Sequence, residues 1–146
     1  MKWVLETDRL RLREMTGEDY ADLCQILQDA ETMYAYEHAF SDEEAAEWLR
    51  TQRKRYQKYG FGLWAAMNKE TGILVGQAGL TMQPIGNREV LEIGYLLKRE
   101  YWHLGLRQKL PSAVKNMLSR FLAQTGYTRL SGTVIFLPNG LQSETV

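Results

Sequence analysis

The sequence predicts an α+β domain in which two helices precede an antiparallel meander of strands and a third helix follows it. Three patterns carry that expectation. Residues 16–29 and 41–59 place apolar side chains at helical spacing behind hydroxyl caps. Residues 62–97 fall into three apolar runs divided by turn-forming stretches. Residues 108–124 return to helical spacing.

Trp3 to Met15 alternates charged with apolar side chains, Leu10, Leu12 and Met15 on one side and Arg9, Arg11 and Arg13 on the other, as a half-exposed strand does. Thr16 caps the next helix, with Asp19 three residues on, and Tyr20, Leu23, Cys24 and Leu27 form its apolar stripe to a stop near Asp29. Glu31 to Phe40 has no clear period but collects aromatics, Glu37 and His38. A loop of this kind either lines a substrate pocket or covers the core as an apolar lid. Ser41 opens a second helix with a capping box completed by Glu44, and its acidic first turn and basic second half suit the helix dipole. Gly60 closes it. Strands are expected over Gly62 to Met67, Ile73 to Met82 and Val90 to Leu97, with turns at residues 68–72 and 84–87. Leu110, Val114, Met117, Leu118, Phe121 and Leu122 mark a third helix from Gln108 to Gln124. Tyr127 to Leu137 reads as a last strand and Pro138 to Val146 as a polar tail.

A chain of 146 residues is expected to be a single domain with a sizeable core. Its 18 basic and 18 acidic residues cancel, so no bulk field draws it to nucleic acid or to an anionic membrane. The basic run Arg50, Arg53, Lys54, Arg55 and Lys58 reads as a solvated helix face; a nucleic-acid site there would lose affinity steeply with salt. Met1-Lys2-Trp3 leads straight into a charged strand, and no apolar run approaches a membrane span, so a cytoplasmic protein is expected. Cys24 reads as a buried thiol, and His38 and His103 lack metal-ligand spacing, so no metal is expected.

The most informative stretch is Glu89 to Arg107. Val90, Leu91, Ile93, Tyr95 and Leu97 form a half-buried strand that carries Glu92; Lys98-Arg99-Glu100 ends it. Tyr101-Trp102-His103-Leu104-Gly105 then leads to a helix, and backbone amides at a helix start bind anions, although one glycine there also serves as an ordinary turn. Glu92-Ile93-Gly94-Tyr95 followed by Tyr101-Trp102-His103-Leu104-Gly105 resembles the fourth strand and acetyl-CoA loop of the GNAT superfamily of N-acetyltransferases. The resemblance is closest to the ribosomal-protein-alanine acetyltransferase-like branch, which acetylates protein N-termini and small amines. Leu5 to Arg13 resembles that branch's first strand, and Gly72 to Gly79 its third. It covers residues 1–105 and implies a GNAT-like mixed sheet, an antiparallel meander flanked by helices, with residues 106–146 divergent and the family fold C-terminally truncated.

The same resemblance implies a transferase: an acyltransferase moving acetyl from acetyl-CoA to a primary amine, at a protein N-terminus or on a small molecule, by direct attack. Leu96 and Leu97 would hold the thioester arm, and Trp102, His103, Leu104, Gly105, Leu106 and Arg107 the pyrophosphate. Glu92 would be the base, through a water; pairing with an arginine on a neighbouring strand is an equal alternative. Glu37, His38, Trp64 and Tyr95 would shape the amine pocket. The sequence departs from the family after Gly105, where Arg107 stands in place of an alanine or glycine, and Gln108 and Lys109 in place of a hydroxyl residue and a glutamate. Reading the codons one nucleotide upstream permits Thr-Pro-Glu-Ala-Ala across Arg107 to Pro111, which resembles the family's third helix, so a frameshift near Leu106 is the expected cause. The rival expectation is an inactive remnant that binds CoA weakly or not at all, whose exposed sheet edge would pair two copies into a homodimer.

Overall fold

The structure, a computed structural model, describes residues 2–33, 38–85, 88–101, 116, 119–120, 135–138 and 144–145. Among the described residues, seven strands form one sheet in sequence order: β1 (Leu5–Glu6), β2 (Leu10–Arg13), β3 (Leu63–Asn68), β4 (Leu74–Ile85), β5 (Arg88–Leu97), β6 (Ile135–Pro138) and β7 (Glu144–Thr145). Neighbours are antiparallel except β5 and β6, which run parallel. Helices α1 (Tyr20–Leu27) and α2 (Asp42–Tyr59) lie in the chain between β2 and β3. The expected mixed sheet with an antiparallel meander is therefore present, with β3, β4 and β5 as the meander.

Two N-terminal expectations meet different fates. The single strand expected over Trp3 to Met15 is a hairpin. The Thr7 hydroxyl accepts the Leu10 N–H at 3.0 Å and the Thr7 N–H donates to the Leu10 carbonyl at 2.8 Å. The chain turns back there and sets Leu5 opposite Leu12. Thr16 does cap as expected, although the capping box it makes with Asp19 governs a short 3-10 turn, Gly17–Asp19, that feeds α1. At α2 the expectation holds fully: Ser41 and Glu44 exchange cap bonds, and Gly60 ends the helix at φ 79°, a left-handed conformation that glycine adopts without strain. The Ser41 N–H, then His38, hold the Glu44 carboxyl below its usual range.

At the other end, the stretch expected as a polar tail supplies β7, where Glu144 faces Phe136 and Thr145 faces Ile135. Of the strand expected over 127–137, only β6 falls within the described residues. The expected third helix lies largely outside them, with Asn116, Ser119 and Arg120 described as helical.

Alternation along the strands splits the core in two. Leu63, Ala65, Leu74 and Leu96 face one way and pack with Leu23, Ile26 and Leu27 of α1 and Ala45 and Leu49 of α2. Leu10, Leu12, Trp64, Ala66, Ala78, Leu80, Tyr95 and Leu97 face the other way. Cys24 is half-buried at the edge of the helix-side cluster. Polar contacts fix α2 to the start of β3: Gln52 Oε1 accepts the Leu63 N–H at 3.0 Å, and the Tyr56 hydroxyl donates to the Leu63 carbonyl while accepting the Met15 N–H. Burial raises the pKa of that phenol.

Arg13, at the end of β2, reaches Asp19 with two parallel bonds of 2.8 Å, and both side chains are buried. Burial opposes ionisation of Asp19, but the Arg13 guanidinium and the Thr16 N–H outweigh it and hold the carboxyl below its ordinary range. This pair locks the β2 end onto the start of α1.

Candidate active site

The C-terminal end of β5 is where the fold offers a site. On one side β5 pairs with β4 along its whole length, from Ile85 opposite Arg88 to Gly76 opposite Leu97. On the other side its described parallel pairing with β6 runs from Glu92 opposite Ile135 to Tyr95 opposite Pro138. Leu96 and Leu97 lie at the C-terminal end of β5, beyond the described part of that pairing. Gly76 makes the arrangement sterically possible. A Cβ at that position would lie 2.4 Å from the Leu96 carbonyl oxygen and 3.0 Å from Leu97 Cα.

Beyond Leu97 the chain is tied down. A register shift between β3 and β4 leaves Val75 unmatched in β3, and its carbonyl accepts the Lys98 N–H at 2.9 Å. Lys98 is only 4% exposed, and its ammonium donates to Asp22 of α1 at 2.8 Å. Arg99 opens a 3-10 turn, Arg99–Tyr101, and bridges Asp29 at 3.5 Å and Glu31 at 3.0 Å, contacts that favour its charged form further. These pairs hold the strand end and the following turn against α1. Gln25, Asp29, Glu31, Lys98, Arg99 and Glu100 line an open cleft of about 620 Å³ there. Its three carboxylates outnumber its two cations, so its rim favours a positively charged ligand.

The residues expected to form the site are partly reunited. Leu96 and Leu97 are buried, side chains on opposite faces, at the end of β5. Glu92 lies in β5 with its backbone opposite Thr81 on one side and Ile135 on the other. Trp102, His103, Leu104, Gly105, Leu106 and Arg107 lie outside the described residues, as does Glu37.

Trp64 and Tyr95 share one row of the sheet, each opposite Ala78, in the face away from α1. His38 is elsewhere: it is exposed on the helix side, bonded to Glu44 at 2.8 Å and stacked at a tilt on Phe40, 5.9 Å between centroids. The structure thus keeps Trp64 with Tyr95 and separates both from His38.

Sequence reasoning missed a helix-side group beside the strand end. Phe40 packs edge-on against Trp48 of α2, 5.7 Å between centroids, and the Trp48 indole donates to Gln77 Oε1 of β4 at 3.0 Å. Gln77 sits directly opposite Leu96. A glutamine in the middle of the run Leu74-Val75-Gly76-Gln77-Ala78-Gly79-Leu80 is the one sequence signal that pointed there.

Comparison with known proteins gives these features a setting. Residues 9–135 match the family model described as an acetyltransferase (GNAT) domain. An uncharacterised Bacillus subtilis protein, YkkB, is 37% identical over 113 residues, 77% of this chain and 66% of that protein. The uncharacterised N-acetyltransferase YoaA of the same organism is 30% identical over 138 residues, 93% of this chain and 75% of that protein. Among solved structures, an acetyltransferase from Agrobacterium tumefaciens superposes with a TM-score of 0.71 at 18% identity, covering 93% of this chain and 73% of that one. RimL, a ribosomal L7/L12 α-N-protein acetyltransferase solved with coenzyme A, gives 0.60 at 14% identity over 92% and 73%. At those identities the likeness is one of fold.

Proposed function

Since the chain belongs to the GNAT acetyltransferase family, we propose that it is an N-acetyltransferase carrying acetyl from acetyl-CoA to the primary amine of a protein N-terminus or a small molecule. The observations that carry this reading are the match of residues 9–135 to the acetyltransferase (GNAT) domain model and the parallel pairing of β5 with β6 beside an otherwise antiparallel set of described strands. Acetyl-CoA, the acetyl donor of GNAT enzymes, supplies the thioester carbonyl that the amine attacks. The residues described at the β5 end fit such a donor: Leu96 and Leu97 end the strand, Gly76 lets β4 and β5 lie close there, and the ion pairs of Lys98 and Arg99 hold the strand end still.

Glu92 is the proposed base, acting through a water to take the proton that the ammonium must lose before it can attack. Trp64 and Tyr95, which share one face of the sheet, are proposed to border the amine site, to which His38 on the other face does not belong, with residues 102–107 contributing backbone donors to the pyrophosphate. The carboxylate-rich rim of the cleft beside Arg99 supports a cationic amine as acceptor.

Calorimetric titration of the purified, mass-verified chain with acetyl-CoA tests the reading. Saturable binding with micromolar affinity is expected, followed by acetyl transfer to a primary amine. A folded sample that binds no acetyl-CoA would overturn it.

Arg107 favours one further reading, a folded remnant without turnover, because a long side chain where a small one belongs crowds a phosphate approaching the backbone. The cause we propose is a frameshift near Leu106. Sequencing the encoding DNA is expected to show an open upstream-shifted frame that spells Thr-Pro-Glu-Ala-Ala across Arg107 to Pro111. Stop codons or unrelated residues in that frame would refute the frameshift.

A further inference from the structure

Helix α2 segregates its charge along its length. Asp42, Glu43, Glu44 and Glu47 stand at its start, and Arg50, Arg53, Lys54, Arg55 and Lys58 follow. Arg50 is bound to Glu47 at 2.7 Å. Arg53, Lys54 and Lys58 are exposed and pair with no carboxylate among the described residues. The Lys58 ammonium stands 5.0 Å from the centroid of the Tyr59 ring, a contact that leaves its charge in place. The far end of the helix therefore offers three cations to a partner.

The near end of α2 is fixed beside the cleft at Arg99. The Phe40 N–H donates to the Leu27 carbonyl at 2.8 Å, and the Gln28 side-chain amide donates to the Asp42 carboxylate at 2.7 Å, so α2 starts against the end of α1. The cleft begins one residue on, at Asp29, with Glu31 and Glu100 also on its rim. That rim and the acidic first turn of α2 make one negative region. At about 1.5 Å per residue, Arg53 and Lys58 lie roughly 16 and 24 Å along the helix from Asp42. An extended peptide advances about 3.4 Å per residue, so a chain whose first residue sits in the cleft brings roughly its sixth to eighth residues to these cations. Such a surface selects a dipolar chain, with an ammonium at one end and carboxylates further on. A nucleic acid, negative throughout, would meet like charge at the rim and the first turn.

We propose that Arg53, Lys54 and Lys58 form a docking surface for acidic side chains of a polypeptide acceptor, so that the substrate is the N-terminus of a peptide or protein that is acidic from about its sixth residue and uncharged before it. This rests on the acetyltransferase reading above.

The test uses two decapeptides of one composition with free N-termini, one with glutamates at positions 6–8 and serines at 2–4, the other with these blocks exchanged. C-terminal fluorophores report binding by anisotropy, and acetyl transfer gives kcat and KM. The parent is expected to prefer the first peptide about tenfold, in Kd and KM alike, since three exposed ion pairs together supply about that much. Raising salt from about 50 to about 300 mM should shrink the preference to about twofold. The triple variant Arg53→Gln, Lys54→Gln, Lys58→Gln retains good helix formers and should lose the preference, with transfer to n-butylamine and acetyl-CoA affinity changed less than twofold. Equal affinity of the parent for both peptides, or a preference that survives in the triple variant, overturns the docking surface. So does single-stranded RNA that binds the parent while neither peptide does. A parent that prefers the first peptide in anisotropy but neither binds acetyl-CoA nor transfers acetyl would keep the docking surface and remove the acetyltransferase reading, so the two failures are told apart.

Discussion

Replacing Asp19 with alanine should lower the stability of the fold by about 3–5 kcal/mol, because it strands the buried guanidinium of Arg13 without its two 2.8 Å partners. For a chain of this size that corresponds to roughly 10–15 °C in Tm, readable by calorimetry or circular dichroism. The Arg13→Met, Asp19→Leu double variant should recover most of the loss, since an apolar pair of similar volume leaves no charge uncompensated. A Tm change under about 3 °C for Asp19→Ala would show that water reaches the pair. The acid side follows from the depressed Asp19 carboxyl. A carboxyl whose pKa is lower folded than unfolded stabilises the fold above its unfolded value, about 3.9, and that contribution disappears as pH falls through the folded value. The parent should therefore lose stability steeply below about pH 4, and Asp19→Ala should lose less over the same interval.

Gly76→Ala should cost about 3 kcal/mol, because the new methyl lands 2.4 Å from the Leu96 carbonyl oxygen, a backbone atom that cannot swing aside. Gly17→Ala, where a Cβ would meet nothing within 4 Å, is the control and should change stability by less than about 0.5 kcal/mol. The Gly76 effect extends to function. Relief of the clash must push Leu96 and Leu97 away from β4, toward the edge proposed to hold the thioester arm. Acetyl-CoA affinity should fall at least tenfold at a temperature where the variant is still folded. Retention of full affinity would show that this strand edge is not the cofactor's track.

Much of this architecture is written in local sequence. Ser41 and Glu44 announce α2, Gly60 closes it, and the strand periodicity of residues 62–97 gives the meander to within a few residues, because each signal acts over one turn or one strand. The Thr7 turn escaped because its side chain bonds to the chain three residues on without a glycine or proline to mark the place. β7 escaped because two residues are too few to show a period.

The resemblance puts Leu96 and Leu97 at the proposed site, and the structure places both at the end of β5. It was less so for the amine pocket. Alternation shows that Trp64 and Tyr95 each have a face, but only the β3–β4–β5 register brings them into one row and sends His38 to the other side. The Trp48–Gln77 bond joins residues far apart in sequence, and nothing short-range encodes it.

The parallel pairing of β5 with β6 has a kinetic consequence. β1 to β5 pair with strands already made, whereas β6 is made last and must return to β5 by a parallel crossover through residues 98–134. On a ribosome, residues 2–97 emerge and can collapse while the strand that completes the edge is still unsynthesised. For that interval β5 is an unpaired β-edge, open to nascent neighbours or chaperones, and synthesis speed through residues 98–134 becomes a determinant of yield.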